Sequence, residues 1–463
     1  MRIENQALRA ENQALKEQLA QALTQLAVAL QRNKELEQRI TELEQKGGGP
    51  PSFVKRNTPQ PSGPKAPRKK RASQYNHARR REVPTRSVPH ALDRCPECNC
   101  PLHGESTDYV RQVRQVIELP EPQPVEVIEH QVIKRYCPKC EKWRSPKLDV
   151  TGVVLGQGRM GVRLVSLIAY LRHTLRLPIK RLQAYLASVH CLSISAGEVA
   201  ELMHQLRRRL QPAVEALKQQ VRASPILHGD ETGWREGGQN GYIWCFCTPG
   251  EDGVRYYEYD ASRGQAVVRR ILGEKTEGHL VSDFYVGYND YAGKQQRCWT
   301  HLLRDLRKLK DDRAQEPEVV EWAEAVRALY DEAQEWLKAT PQPSTEEREK
   351  KYVSLVERAL ELGARYAQNK GHPCQALAKR IFRHQDELFQ FVLVEGLSAN
   401  NNLAERSIRP LVVIRKISGG SRSAEGSKTR MALASLFETW QARGQNPFEE
   451  CLKLLSQPSS PAI

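Results

Sequence analysis

The sequence predicts a multidomain α+β protein, and three observations carry that prediction. A heptad repeat runs from residue 3 to about 45, two matched Cys-x-x-Cys pairs follow a Pro- and Arg-rich stretch, and the second half alternates between period-two and helical patterning. A chain of 463 residues has room for roughly two or three separate cores. The expected segments are a coiled-coil helix (1–46), a basic disordered linker (47–90), a small β-rich zinc-binding domain (91–150) and a helical, helix-turn-helix-like domain (158–222). An α/β core (223–415) with a helical insertion at about 301–395 and a helical C-terminal region (416–463) complete the chain.

The heptads come first. Leu8, Leu15, Ala22, Ala29, Leu36 and Leu43 share one seam position, and Asn5, Asn12, Leu19, Leu26, Asn33 and Ile40 share the other. Asn at the a-like position fixes register and strand number at some cost in stability, so a homo-oligomer through this helix is expected. The competing reading is one amphipathic helix docked on the body, which would need a wider apolar stripe. Gly47-Gly48-Gly49-Pro50-Pro51 ends the helix.

Formal charge is +16 and the pI about 9.3, which points to a polyanionic partner. The excess is concentrated: from Gly47 to Arg94, twelve Lys and Arg stand against two acids, Glu82 and Asp93, with Lys69, Lys70 and Arg71 at the centre. Such a segment suits DNA phosphates through counterion release. It also suits a solvated spacer too poor in apolar residues to fold, and the two readings are compatible.

Eleven cysteines, several inside apolar runs (Cys245, Cys247, Cys298), fit a reducing cytoplasm better than a disulfide framework. No signal-peptide core and no run of ~18 apolar residues is present, so neither export nor membrane insertion is expected. Cys95-Pro96-Glu97-Cys98 and Cys137-Pro138-Lys139-Cys140 can each present two thiolates from a tight turn, and four thiolates suit a structural Zn²⁺. A redox pair is the rival reading. The interval exceeds the ~15–20 residues of the common zinc spacing; strands at Val110–Leu119 and Val125–Tyr136, joined across Pro120-Glu121-Pro122, would form a hairpin that closes it. Cys100 and His103 are nearby alternatives.

From Met160 to about Val221 the pattern is helical. One helix spans Val162 to Leu171, a second opens at Leu177-Pro178-Ile179, and Ser195-Ala196-Gly197-Glu198 reads as a capping box for a third that runs through Arg207-Arg208-Arg209. Helix, tight turn and basic helix could read DNA or simply pack together.

Ile226-Leu227-His228-Gly229 then reads as a buried strand, but it ends in Asp230 where a sheet would place Val or Ile. Asp230 is either a turn residue or chemistry. Gly241–Cys247 and Val254–Tyr259 read as strands, Gln265–Leu272 as a helix, and Gly278–Ser282 as a strand ending in Asp283. That succession is the one in which a ribonuclease-H-like sheet sets two acids on neighbouring strands. Beyond Cys298-Trp299-Thr300-His301, the spacing of Trp322, Val326, Leu329, Ala333 and Trp336 predicts buried helix. Trp234, Trp299 and His301 read as core or site walls.

Glu405 is the third acid. Asn402-x-x-Glu405 also fits a capping box, in which the Glu folds back on its own helix start. Three converging carboxylates repel and their pKa values rise, unless divalent cations intervene; oxygen ligands favour Mg²⁺ or Mn²⁺, and the natural substrate is a phosphodiester. The stretch from Gly420 to Thr429 mimics a phosphate-binding loop, but Ser427 separates the Gly and Lys that must be adjacent; a basic loop or a cap at Ser427 reads better. Two helices broken at Gly444–Pro447 close the chain.

Gly229-Asp230-Glu231-Thr232-Gly233-Trp234, Ser282-Asp283-Phe284-Tyr285-x-x-Tyr288, Cys298-Trp299-x-His301 and Asn401-Asn402-x-x-Glu405-Arg406-x-Ile408-Arg409-Pro410 together resemble the insertion-sequence-66 family of bacterial DDE transposases. The coiled coil and CPxC pairs follow that family's order, so the resemblance spans nearly the whole chain. It implies a DNA transposase with an RNase H-like core that binds the terminal inverted repeats of its element and cuts and joins DNA. The catalytic, Mg²⁺-binding triad would be Asp230, Asp283 and Glu405, with Asp290 a fallback for the second acid. Arg406 and Arg409 would hold phosphates or pair on the surface. Double-stranded DNA, accessory proteins of the same element and a nucleoid-associated cytoplasmic location are implied as well. The competing functions are a non-catalytic DNA-binding regulator, which leaves the three acids unexplained, and an RNase H-like nuclease, which shares the metal chemistry.

Overall fold

The computed structural model describes residues 31, 34, 37 and 83–457, apart from 103–109, 111–112, 118–120, 157 and 275–276. The coiled-coil expectation lies outside the described residues, save that Gln31, Lys34 and Glu37 are helical. Lys69, Lys70 and Arg71 lie outside them too, as does His103. The chain divides into two compact units, residues 1–118 and 119–463.

In the first unit the Cys95–Cys98 knuckle is a tight turn. The Cys95 N–H donates to the Cys100 carbonyl at 2.9 Å, the Asn99 N–H to the Cys95 carbonyl at 2.8 Å, and Asn99 adopts a left-handed φ of 58°. Backbone and side-chain contacts with Cys100 and Cys95 hold the Cys98 thiol below its ordinary range.

The second unit contains a short hairpin, β1 (Arg135–Cys137) and β2 (Lys142–Arg144), with Cys137 opposite Lys142, so the Cys137–Cys140 knuckle forms its turn. The longer strands expected at Val110–Leu119 and Val125–Tyr136 are not formed: among their described residues only Arg135 and Tyr136 are in a strand. Val113, Val116, Val127 and Ile128 stay exposed. A two-stranded ribbon with nothing against its apolar face is marginal in water, which is why alternation alone did not make strands there.

Three helices follow: α1 (Val162–His173), α2 (Ile179–His190) and α3 (Ala196–Ala223). Ser195 caps α3, its Oγ accepting the Glu198 N–H at 3.0 Å. α3 commits one stripe, from Val199 through Leu206 and Leu210 to Val221, to the core. Its basic run is engaged within the chain: Arg207 pairs with Glu425 at 2.8 Å, Arg208 with Glu201 at 2.8 Å, and Arg209 donates to the Gln457 carbonyl at 2.6 Å.

A five-stranded sheet forms the centre: β3 (Ile226–Glu236), β4 (Gln239–Cys247), β5 (Arg255–Asp260), β6 (His279–Ser282) and β7 (Lys294–Arg297), in the order β5-β4-β3-β6-β7. β3, β4 and β5 are antiparallel neighbours, while β6 pairs parallel with β3 and β7 parallel with β6. Helix α4 (Gln265–Leu272) makes the crossover from β5 to β6. The expected strand, strand, strand, helix, strand succession is present. Alternation sends Trp244, Phe246 and Tyr256 into the core shared with α3 and α4, and Ile243, Cys245 and Tyr257 to the other face.

β7 has no apolar signature at all. Its buried Gln296 is satisfied instead by hydrogen bonds: Nε2 donates to the Leu388 carbonyl at 3.0 Å, and the carboxamide oxygen accepts the Phe391 N–H at 2.9 Å. These bonds pin a helical insertion, α5 (Trp299–Asp312), α6 (Pro317–Ala339), α7 (Thr345–Ala367), α8 (Gln375–Leu388) and α9 (Gln390–Leu393), to the sheet. Trp322, Val326, Leu329 and Ala333 are buried there and Trp336 half-buried, as their spacing predicts. The chain returns in α10 (Asn402–Ser418), α11 (Ala424–Ala442) and α12 (Pro447–Ser456). α11 is capped by Ser423, whose Oγ accepts the Gly426 N–H at 3.1 Å; Ser427 is buried inside the helix and is not the cap. Among the described residues, no helix is long and apolar enough to cross a membrane.

Gln296→Leu keeps the volume but leaves the Phe391 N–H unpaired and removes one of the two donors to the Leu388 carbonyl, the other being the Trp299 ring N–H. Urea unfolding is expected to show a loss of about 1–3 kcal/mol, with hydrogen exchange rising first at α8 and α9; an unchanged midpoint would remove Gln296 as the anchor.

Candidate functional site

Strand parity places the first acid. Even-numbered residues of β3 face α10: His228 contacts Asn401, the Thr232 hydroxyl accepts from Arg415 at 3.0 Å, and Trp234 packs with Ile408, Leu411 and Ile414. Asp230 lies in that series. Glu231 belongs to the opposite series, where its carboxylate accepts from Arg263 at 2.6 Å and from the Tyr288 hydroxyl. Gly229, between them in chain order, permits close packing, since a Cβ there would lie 3.1 Å from Tyr288 and 3.2 Å from both Leu280 and Phe246.

Register places the second. In the parallel pair, His228 stands beside Val281; Asp230 and Asp283 each follow two residues later, Asp283 just past the end of β6 and near enough to raise the Asp230 carboxyl. They sit at the carboxyl end of β6, the end at which ligands bind in α/β sheets. The Asp283 loop is held from behind: buried Arg297 donates to the Asp283 carbonyl at 2.9 Å and to Asn289 Oδ1 at 2.6 Å, and the Tyr285 N–H donates to Asp283 Oδ1 at 2.9 Å. Asp290, the alternative second acid, is paired with Arg269 on α4.

Glu405 arrives in the first turn of α10. The helix is capped at Asn401, with no side-chain capping bond, so the Asn402–Glu405 capping box is not formed. Asn401 instead donates its Nδ2 to the Gly229 carbonyl at 2.6 Å, contacts His228 Nδ1 at 3.3 Å, and donates its backbone N–H to Cys298 Sγ at 3.2 Å. Glu405 Oε1 is consequently buried without a hydrogen-bond partner.

Burial pushes Asp230 up to about 7, with Glu231, Asp283 and Glu405 adding to the rise and only the Glu231 N–H opposing it. Burial also raises Glu231, against the pull of Tyr288 and Arg263. Nearby cations are committed elsewhere: Arg263 to Glu231, Arg297 to Glu387 and Arg415 to Thr232. Burial lowers His228 to about 4, which keeps it neutral near pH 7. Converging carboxylates with an orphaned buried oxygen fit a hard divalent ion such as Mg²⁺ or Mn²⁺.

Beside the acids stand Cys298 and His301, at the start of α5. Burial pushes the Cys298 thiol up, but His301 and the N–H of Asn401 outweigh it and the net shift is downward; Cys298 in turn raises His301 against burial, and Asp283 and Glu405 add to that rise. Trp234 and Trp299 are core residues whose ring N–H groups donate to Ser421 Oγ at 3.1 Å and to the Leu388 carbonyl at 2.6 Å. Arg406 and Arg409 are exposed on α10. Asn401, Arg297 and Gln296 escaped the sequence reading of the site, because isolated polar residues carry no periodic signal; the Asn-Asn motif was the one available hint for Asn401.

Residues 157–429 match the family model described as Transposase IS66 family. Two curated relatives come from Sinorhizobium fredii. The uncharacterized protein y4qI is 24% identical over 314 residues, covering 62% of this chain and 57% of that protein. The uncharacterized protein y4jO is 27% identical over 211 residues, covering 42% of this chain and 62% of that protein. The alignments thus span about three fifths of each relative's length.

Asp230 has a stability consequence with a definite sign. The folded state keeps its proton up to about pH 7, while the unfolded chain releases it near 4, so metal-free stability falls as pH rises between those values. Asp230→Asn is therefore expected to stabilise the metal-free protein, by up to about 4 kcal/mol at pH 8 and distinctly less at pH 5. Mg²⁺ should raise the wild-type thermal midpoint at pH 8 more than that of the variant. Equal gains at both pH values would contradict this account.

Proposed function

Because the chain belongs to the Transposase IS66 family, we propose that it is a DDE-type DNA transposase that binds the terminal inverted repeats of its element and catalyses strand cleavage and strand transfer. One observation carries the reading: Asp230 and Asp283 follow the paired His228 and Val281 by two residues each, and Asp283 and Glu405 both raise the Asp230 carboxyl. The order β5-β4-β3-β6-β7, with three antiparallel strands and two parallel ones, supports an RNase H-like core. Asp230, Asp283 and Glu405 would hold Mg²⁺ or Mn²⁺, which supplies charge neutralisation and Lewis acidity for in-line attack on a phosphodiester.

The chain's own residues supply the rest. Asn401 and Arg297 fix the acids in place. Arg406 and Arg409, exposed on the helix that carries Glu405, take DNA phosphates, and Lys69, Lys70 and Arg71 add sequence-independent affinity. Each CPxC knuckle offers a pair of thiolates suited to structural zinc. The heptad segment brings copies of the chain together on paired ends.

The test uses labelled element ends, Mg²⁺ and a target plasmid. Asp230→Ala, Asp283→Ala and Glu405→Ala should each reduce joining by about a thousandfold or more while end binding survives. A variant that still joins ends would remove that residue from the site, and cleavage without joining by the wild type would make the protein a nuclease. Arg406→Ala and Arg409→Ala should weaken DNA affinity uniformly across sequences and each lower the salt slope by about one; an unchanged slope would make them surface residues only.

A further inference from the structure

Cys298 and His301 have no part in the carboxylate chemistry, and with Glu405 they form a cluster. Each offers one ligand atom, and these atoms all lie within 4.8 Å of one another. They come from two elements: Cys298 and His301 are three residues apart at the start of α5, and Glu405 projects from the first turn of α10. Two of the three carry a buried polar atom without a hydrogen-bond partner, His301 Nδ1 and Glu405 Oε1. These two atoms are 3.9 Å apart, too far to satisfy each other. The third, Cys298 Sγ, accepts the Asn401 N–H at 3.2 Å, a contact that favours the thiolate.

Leaving buried acceptors unpaired is costly, and a cation among them would satisfy all three at once. Bonds of about 2.0–2.3 Å around a tetrahedral ion put its ligand atoms roughly 3.3–3.8 Å apart, so atoms that lie within 4.8 Å of one another would draw in by up to about an ångström on binding. A sulfur, nitrogen and oxygen set selects zinc-like ions over Mg²⁺, which takes oxygen alone.

We propose that Cys298, His301 and Glu405 bind one thiophilic divalent transition ion of the Zn²⁺ or Co²⁺ class, with a fourth position left to solvent. The site differs in ligand chemistry from the Asp230–Asp283 pair and touches it through Glu405. An ion here would fix the Glu405 carboxylate and draw its charge away from Asp230. The proposal shares Glu405 with the proposed triad, while Cys298 and His301 belong to this site alone.

Titrating the chelator-stripped full-length protein with Co²⁺ tests it. Thiolate-to-cobalt absorption and the visible ligand-field bands report thiolate ligation, and equilibrium dialysis counts bound ions. The CPxC knuckles can also take cobalt, so the informative quantity is a difference. Cys298→Ser, His301→Ala and Glu405→Gln should each lose one equivalent of bound Co²⁺ with its share of the spectrum, whereas Asp230→Asn and the Cys95→Ser/Cys98→Ser variant should keep that increment. Excess Mg²⁺ should not displace it. Unchanged stoichiometry and spectrum in Cys298→Ser and His301→Ala would overturn the site. Cadmium NMR of the unmodified chain gives a readout free of folding effects: a resonance of mixed sulfur, nitrogen and oxygen ligation is expected, and sulfur-rich resonances alone would also overturn it. Neither measurement involves DNA joining, so a failure of the transposase reading leaves both outcomes interpretable.

Discussion

A single buried side chain holds the site's parts in register. Asn401 spends its side chain on the Gly229 carbonyl and on His228, and its backbone N–H on Cys298. It thereby ties β3, the start of α5 and the start of α10 to one another. β3 delivers Asp230, α5 delivers His301 and α10 delivers Glu405, so the convergence depends on three hydrogen bonds from one residue. Because Asn401 does not cap its helix in the usual way, the Glu405 carboxylate is not drawn back to the helix start. A buried polar hub of this kind is specific because each bond left unmade would cost about 1–3 kcal/mol.

The sheet then sorts two adjacent acids into opposite fates. Asp230 and Glu231 are neighbours in the chain, but the pleat points them to opposite faces. Glu231 accepts from Arg263 and Tyr288, which oppose the rise that burial imposes on it. Burial raises Asp230 toward neutrality, and Glu231, Asp283 and Glu405 add to the rise. Leaving a buried carboxylate short of compensating charge is destabilising for the bare fold.

The long insertion contributes through its base. It leaves the sheet at Cys298 and rejoins it just before Asn401, so both of its ends border the acids. Gln296 fixes one side to Leu388 and Phe391, while Arg297 links Glu387 of the insertion to the Asp283 loop. Polar residues do this work because a short strand buried between the insertion and the sheet needs directional bonds to fix its partners, and apolar contact alone would not specify them.

The sequence determined what periodicity and local chemistry can encode. Alternation in Gly241–Cys247, the stripe from Trp322 to Ala333, the Ser195 cap and the break at Gly444–Pro447 are properties of short windows, and each was legible there. Apolar alternation overstated the strands near Val113 and Val127, since a strand also needs a partner to cover its apolar face. β7 was invisible for the converse reason: KQQR is buried by hydrogen bonds that only its distant partners supply. The acids could be nominated from the strand ends and from the Asn401–Pro410 motif, but the approach of Asp283 and Glu405 to Asp230, the release of Glu405 from its cap and the grouping of Cys298 and His301 with Glu405 came from tertiary structure alone. Those features depend on which face and which register distant segments share, and pairing between segments far apart in the chain leaves no trace in the local pattern of either one.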